Sequence, residues 1–157
     1  MLTDVDGVLT DGGMYYTDKG EVMKKFHTRD GMGMALLKKN NISTIIITKE
    51  KTKIVISRAK KLPVNETYVG IKKKESLLPK ICKKYKIEKN NVAYIGDDVN
   101  DLEIMKHVGF SISPKDGIKL AKEIADYVCA VKGGEGVFRE VADLILEIQH
   151  PKKKDWY

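Results

Sequence analysis

The chain alternates between short apolar runs and longer amphipathic segments from one end to the other. Runs of consecutive apolar and β-branched residues predict strands that are buried on both faces. These runs lie at residues 1–5, 42–48, 67–69, 91–96, 109–112 and 127–130. Apolar residues at helical spacing predict helices between them, and Asp30 is the expected N-cap of the first helix. Such an alternation predicts a parallel sheet with right-handed crossovers and helices on both faces.

One early segment departs from this alternation. Residues 14–17 and 21–26 flank Asp18-Lys19-Gly20, whose glycine can supply a tight turn. This pattern predicts a β-hairpin inserted after the first strand. We therefore expect an α/β fold with a doubly wound, Rossmann-like parallel sheet and a β-hairpin insertion. The predicted domain covers residues 1–149, and residues 150–157 are expected to form a C-terminal tail.

Composition is typical of a globular protein, since 42% of the 157 residues are hydrophobic and 32% are charged. No apolar run approaches the roughly 20 residues that cross a bilayer, and no leader peptide is evident. Cys82 and Cys129 lie far apart and outside any CxxC pattern, which is typical of reduced thiols. We therefore expect a cytoplasmic protein with no membrane partner.

The net charge of +7 comes largely from lysine, including runs at residues 72–74 and 152–154. Such charge can form a nucleic-acid surface, or it can belong to solvated helix faces that steer a small anionic substrate. The sequence has no zinc-finger pattern, no helix-turn-helix pattern and no basic motif interleaved with aromatic residues. We therefore expect a small anionic ligand and no nucleic-acid partner.

Polar residues follow several predicted strands at their carboxyl ends. Asp4 and Asp6 follow the first strand, Thr48 the second and Asp97 the strand at 91–96, while Lys74 stands near a helix start. In a doubly wound sheet these strand ends meet at one crevice. Carboxylates there suit Mg²⁺, and a hydroxyl, an ammonium and free N–H groups suit a phosphoryl group. Taken alone, the first acidic pair is equally consistent with a polar surface turn.

The residue types in this crevice meet the requirements of phosphoryl transfer. That reaction needs an in-line nucleophile, a proton donor for the leaving oxygen and positive charge over the non-bridging oxygens. Asp4 can attack phosphorus and form an aspartyl phosphate, and Asp6 can protonate the leaving alkoxide and later deprotonate water. Asp97 would complete a metal site, while Thr48 and Lys74 would hold the phosphoryl oxygens.

Taken in order, four motifs resemble those of the haloacid dehalogenase superfamily. They are Asp4-x-Asp6-Gly7-Val8, Thr48, Lys74 and Gly96-Asp97-Asp98-x-x-Asp101. Within that superfamily, the chain resembles phosphatases of 3-deoxy-2-keto sugar acids, which act on an eight-carbon octulosonate 8-phosphate or a nine-carbon nonulosonate 9-phosphate. It also resembles the C-terminal module of some acylneuraminate cytidylyltransferases. The resemblance runs from about residue 2 to residue 146.

The resemblance implies a Mg²⁺-dependent phosphoric monoester hydrolase with a small-molecule sugar-acid phosphate as its substrate. It makes Asp4 the nucleophile and a metal ligand, and it adds the main-chain carbonyl of Asp6 and the carboxylate of Asp97 to the metal site. Lys74 would offset charge between phosphate and nucleophile, with the two preceding lysines as competing candidates. Asp98 and Asp101 are supporting residues. The expected substrate contacts are His27, Thr28, Arg29, Asp30, Gly31, Glu50, Arg58 and Lys61.

Two residues depart from the pattern of these phosphatases. Lys49 follows Thr48 where they usually carry glycine, so it could add phosphate affinity or crowd the loop. Glu50 stands where octulosonate-type enzymes tend to carry arginine. Together with Lys61, Glu50 favours the nine-carbon 9-phosphate over the eight-carbon 8-phosphate.

Members of this superfamily often carry an inserted cap domain, but residues 7–29 hold only the hairpin and residues 49–73 only a helix and a short strand. We therefore expect no cap domain. The resemblance implies a homotetramer, held partly by the hairpin, in which a neighbouring subunit covers the crevice. Two alternatives are a non-catalytic oligomerisation or regulatory module related to acylneuraminate cytidylyltransferase, and a phospho-acceptor receiver domain. In the receiver domain the acids follow a different order.

Overall fold

A computed structural model describes residues 1–150, so most of the expected C-terminal tail lies outside the described residues. The strands are β1 (Leu2–Thr3), β2 (Tyr15–Thr17), β3 (Gly20–Met23), β4 (Ile45–Ile47), β5 (Glu66–Tyr68), β6 (Ala93–Ile95), β7 (Phe110–Ser113) and β8 (Tyr127–Val128). The α-helices are α1 (Thr28–Lys39), α2 (Lys53–Ala59), α3 (Leu78–Tyr85), α4 (Leu102–Met105), α5 (Lys119–Ile124) and α6 (Val137–Gln149). Short 3₁₀ helices cover Lys74–Leu77 and Lys89–Asn91.

Six of these strands form one parallel sheet in the order β5-β4-β1-β6-β7-β8. Its strand side chains alternate between two apolar clusters, as the two-residue period of a strand requires. Ile46 packs in a cluster with side chains from α1, α2 and α6, whereas Ile45 and Ile47 pack with side chains from α3, α4 and α5. Helices therefore cover both faces, and the predicted doubly wound α/β fold is confirmed.

The remaining two strands, β2 and β3, form the predicted antiparallel hairpin. Several of its apolar side chains are exposed: Met14, Tyr16, Val22 and Met23 are each more than half accessible, at 64%, 62%, 55% and 51%. Exposed apolar residues grouped in this way are typical of an interaction surface. The homotetramer stays a prediction.

Some element boundaries differ from those expected. The N-cap of α1 is His27, whose Nδ1 accepts the Arg29 N–H at 3.3 Å. Asp30 lies instead in the first turn of α1, and its carboxylate accepts the backbone N–H of Arg139 in α6 at 3.1 Å. The expectation that Asp30 is the cap was wrong because this contact between two helices takes its carboxylate. Within residues 1–150, no helix has the length and apolar character required to cross a membrane.

Candidate active site

The carboxyl ends of β1, β4 and β6 open onto one crevice of about 270 Å³. A mixture of carboxylates, amides, hydroxyls and glycines lines it: Asp4, Asp6, Gly7, Gly12, Thr48, Lys49, Glu50, Asp97, Asp98 and Asn100. The predicted convergence of acids and a hydroxyl at this edge is therefore found in the structure. Lys49 lines the crevice as well, so the residue that departs from the family pattern lies at its mouth rather than away from it.

A tight turn carries the first acidic pair into this crevice. The backbone N–H groups of Val8, Leu9 and Thr10 all donate to the carbonyl of Val5, rather than to that of Asp6. Gly7 adopts φ +77°, a conformation that side chains rarely allow. A Cβ built there would lie 2.1 Å from Oδ2 of Asp97. The positive φ therefore favours glycine, and a side chain here would also displace the Asp97 carboxylate.

A second loop, which contains Gly133 and Gly134, packs against this turn. The Gly134 N–H donates to the carbonyl of Val8 at 3.0 Å. At Gly133, a Cβ would lie 2.1 Å from the carbonyl oxygen of Gly7. The Gly133-Gly134 pair thus lets the start of α6 approach the acidic turn at backbone contact distance.

Lys74 is fully buried and lies between two carboxylates. Its Nζ is 2.7 Å from Oδ1 of Asp4 and 2.6 Å from Oδ1 of Asp101. The Tyr94 hydroxyl also donates to Oδ1 of Asp101, and the other oxygen of Asp101 accepts the N–H groups of Asp97 and Asp98 at 3.0 and 3.4 Å. Asp101 therefore holds Lys74 against Asp4 and also orders the loop after β6.

Burial and mutual repulsion raise the pKa values of the acids in this crevice. Burial, with the charges of Asp4, Asp101 and Asp98, raises the pKa of Asp97 to about 8. Burial and the charge of Asp101 raise the pKa of Asp4 to about 7, although Lys74 opposes this shift. Carboxylates crowded in this way are stabilised in their charged form by a cation.

Three carboxylates, those of Asp4, Asp97 and Asp101, have ligand oxygens within 4.8 Å of one another. Asp101 is already saturated, since its two oxygens accept from Lys74, Tyr94 and two backbone N–H groups. Oδ1 of Asp97, in contrast, is buried without a hydrogen-bond partner in the described part of the chain. The carboxylate oxygens of Asp4 and Asp97 therefore fit a hard divalent cation such as Mg²⁺. Asp101 instead holds Lys74 in place.

The expected substrate contacts fall into three places. Glu50 lines the crevice itself. Arg58 and Lys61 line a separate groove of about 450 Å³, together with Lys24, Phe26 and three further residues at the start and middle of α2. The third group opens α1 rather than lining the crevice, and its members are His27, Thr28, Arg29, Asp30 and Gly31.

Lys24 is one of the residues near the site that the sequence did not reveal, along with Asn100 in the crevice and Tyr94 on Asp101. Nζ of Lys24 donates to Oδ1 of Asp6 at 2.6 Å and lies 2.7 Å from Oε1 of Glu21. Burial lowers the pKa of Lys24, but the hydrogen bonds to Asp6 and Glu21 outweigh it and raise that pKa. A single lysine after a strand carries no signal in so lysine-rich a chain. Since Lys24 also lines the groove of Arg58, it joins that groove to the crevice.

A larger groove of about 560 Å³ contains none of the expected site residues. Its lining includes Leu78, Pro79, Cys82 and His107 and is mostly apolar. Lys89, Asn90 and His107 also line this groove, but the carboxylate group that can hold a metal ion within residues 1–150 lies in the smaller crevice, which is therefore the candidate active site.

A family model described as haloacid dehalogenase-like hydrolase matches residues 38–141. The chain belongs to this family. This haloacid dehalogenase-like hydrolase is 40% identical, over 149 residues, to the 3-deoxy-D-manno-octulosonate 8-phosphate phosphatase of Salmonella typhi. The match covers 95% of this chain and 79% of the relative. The enzyme class expected from the sequence, a phosphoric monoester hydrolase, is confirmed.

Solved structures of similar proteins share the fold of this haloacid dehalogenase-like hydrolase. The cobalt-bound octulosonate 8-phosphate phosphatase of Haemophilus influenzae has a TM-score of 0.90 and 36% identity, and the match covers 94% of this chain and 86% of that one. The Moraxella catarrhalis phosphatase, in complex with a magnesium ion, a phosphate ion and the sugar acid, has a TM-score of 0.89 and 38% identity over 93% and 84% of the two chains.

Proposed function

We propose that this hydrolase removes phosphate from a 3-deoxy-2-keto sugar acid phosphate in a Mg²⁺-dependent reaction. The observation that carries the proposal is the buried ion pair of Asp4 and Lys74 at the bottom of an acidic crevice. The 40% identity to octulosonate 8-phosphate phosphatases supports the choice of substrate class. The magnesium- and cobalt-bound relatives support the choice of a divalent metal.

In the proposed reaction Asp4 attacks phosphorus and forms an aspartyl phosphate. Lys74 orients the attacking carboxylate and offsets negative charge as the phosphoryl group approaches. Thr48 Oγ1 accepts the Glu50 N–H at 3.1 Å, so its own hydroxyl proton remains available to donate to a phosphoryl oxygen. Asp4, Asp97 and the carbonyl of Asp6 would hold a divalent cation, which would supply positive charge near the phosphoryl oxygens.

Asp6 carries the proton in both halves of the proposed reaction. It gives a proton to the alkoxide oxygen as the bond between that oxygen and phosphorus breaks. It then takes a proton from the water that attacks the aspartyl phosphate, which releases inorganic phosphate and restores Asp4. A sugar alkoxide is a poor leaving group, so its departure depends on this proton.

The sugar acid would extend from the crevice toward the groove of α2. Arg58 and Lys61 supply positive charge there for the sugar carboxylate. The relatives' names support an eight-carbon substrate. The carboxylate of Glu50 lines the crevice. The resemblance places an arginine at this position in octulosonate-type enzymes, so Glu50 favours the nine-carbon ester. We therefore propose that the nine-carbon 9-phosphate is preferred.

The test measures phosphate release from the nine-carbon and eight-carbon esters side by side in Mg²⁺, with wild-type protein and Glu50→Arg. We expect wild type to have the higher kcat/KM for the nine-carbon ester and Glu50→Arg to shift the ratio toward the eight-carbon ester. A wild-type preference for the eight-carbon ester contradicts the proposed chain length. If wild-type protein hydrolyses neither ester, the proposed function is contradicted.

The alternative, a non-catalytic oligomerisation or regulatory module, is not favoured. Such a module has no physical need for Asp4 and Lys74, since a buried pair of charges costs several kcal/mol of desolvation. The homotetramer is proposed on the exposed apolar side chains of the hairpin. Light scattering tests it, and a fully active monomer would contradict it.

A further inference from the structure

Lys24 is a buried lysine directly after β3, at the base of the hairpin. Only 3% of its side chain is exposed. An ammonium removed from water needs charged partners, and Lys24 has two. Its Nζ donates to Oδ1 of Asp6 at 2.6 Å and lies 2.7 Å from Oε1 of Glu21. The lysine therefore ties the hairpin to the loop that carries Asp6.

This contact distinguishes the two carboxylate oxygens of Asp6. Oδ1 accepts from Lys24, whereas Oδ2 is buried and has no hydrogen-bond partner within residues 1–150. The terminal torsion of an aspartate is broad, so an untethered carboxylate can turn in place. A general acid, however, must deliver its proton over hydrogen-bond distance in a defined direction. Lys24 removes that rotational freedom.

We propose that Lys24 is the positioning residue of Asp6: it holds Oδ1 and thereby fixes the orientation of the carboxylate that lines the crevice. Glu21, which lies in β3, holds the ammonium of Lys24 through an ion pair. This role rests on the proposed function, in which Asp6 protonates the leaving alkoxide. Lys24 itself transfers no proton.

If Lys24 positions Asp6, the loss of activity after substitution of Lys24 depends on the leaving group of the ester. A sugar alkoxide leaves only when it is protonated, whereas p-nitrophenolate leaves as a stable anion without help. Misplacing Asp6 should therefore slow phosphoryl transfer from the sugar ester far more than from p-nitrophenyl phosphate, whereas hydrolysis of the aspartyl phosphate is a step that both esters share. A merely structural lysine would slow both esters equally, because it would lower the amount of folded enzyme.

The experiment compares Lys24→Met with wild type on the nine-carbon and eight-carbon sugar-acid phosphates and on p-nitrophenyl phosphate. Lys25→Met is the matched control, since Lys25 is the next residue, is 57% exposed and lies 3.5 Å from Asp11. For Lys24→Met we expect kcat/KM on a sugar ester, which reports phosphoryl transfer to Asp4 and not the later hydrolysis step, to fall by roughly 100-fold, and kcat/KM on p-nitrophenyl phosphate to fall by less than about 10-fold. Lys25→Met should match wild type on all three esters.

Glu21→Gln and Lys24→Arg provide tests that do not depend on folding of Lys24→Met. Glu21→Gln leaves the lysine in place but weakens its anchor, so we expect a smaller loss with the same selectivity for the sugar ester. Lys24→Arg should recover part of the activity on the sugar ester. Equal losses on both ester classes, or no loss, contradict the role of Lys24 while leaving the phosphatase intact. Wild-type protein that hydrolyses no ester contradicts the proposed function and this role with it.

Discussion

In metal-free protein, we expect the free energy of unfolding to fall as the pH rises from 5 to 8. The folded state raises the pKa of Asp97 to about 8 and that of Asp4 to about 7, from an ordinary value of 3.8 for each. Between the unfolded and folded values, the folded protein holds protons that the unfolded chain has released. Raising the pH across this window therefore favours unfolding.

The size of this effect follows from the pKa shifts. One proton of difference is worth about 1.4 kcal/mol for each pH unit, so one such carboxyl costs roughly 4 kcal/mol between pH 5 and pH 8. The charge of Asp4 is one cause of the raised pKa of Asp97, so the two shifts are not independent and we assign roughly this figure to the pair rather than twice as much. In a chain of this length that corresponds to a fall of about 10 °C in Tm.

The assay is thermal unfolding followed by circular dichroism in EDTA at pH 5 to 8. Asp97→Asn should make the pH dependence shallower, with the part due to Asp4 remaining, whereas the exposed hairpin control Asp18→Asn should keep the wild-type slope. Saturating Mg²⁺ at pH 8 should restore Tm, because a ligand that binds only the folded state stabilises it. The reasoning is refuted if wild-type stability is flat across this range, or if Asp97→Asn falls as steeply as wild type.

Substitutions at three further positions test contacts in the crevice and between α1 and α6. Gly7→Ala should lower kcat for phosphate release by more than about 10-fold and stability by roughly 1–3 kcal/mol, because its Cβ would lie 2.1 Å from Asp97 at φ +77°; wild-type rates would contradict this. Tyr94→Phe should lower the free energy of unfolding by about 1–2 kcal/mol, since it removes a buried hydroxyl donor to Asp101; an unchanged urea midpoint would contradict it. Asp30→Ala should lower the free energy of unfolding by about 1–3 kcal/mol in the same assay, because it leaves a backbone N–H of α6 unpaired. Asp30→Asn should lower it by less, and equal losses would show that this hydrogen bond is unimportant.

The convergence of acids at one sheet edge was predictable because parallel strands place their carboxyl ends together. Asp4 and Asp97 therefore meet although 92 residues separate them in sequence. The resemblance also selected Lys74 over its two neighbours. In the structure Lys74 is buried against Asp4, while Lys72 and Lys73 are exposed.

Other contacts were not predictable, because they depend on how elements pack rather than on local pattern. Asp30 looks like a helix cap, but α6 brings a backbone N–H to it from 109 residues away. Lys24 reaches Asp6 only because the hairpin folds back onto the acidic turn. The saturation of Asp101 by donors from three segments is likewise visible only in the folded chain.

The central claim, that Asp4 forms a covalent phosphoryl intermediate, is tested most directly by acid quench within the first turnover. Wild-type protein and Asp4→Asn are mixed with the ³²P-labelled nine-carbon 9-phosphate in Mg²⁺, and the label carried by the precipitated protein is counted. We expect hydroxylamine-labile label on the wild-type protein, with neither label nor turnover in Asp4→Asn. Wild-type turnover without protein-bound label, or turnover by Asp4→Asn at the wild-type rate, would contradict the mechanism.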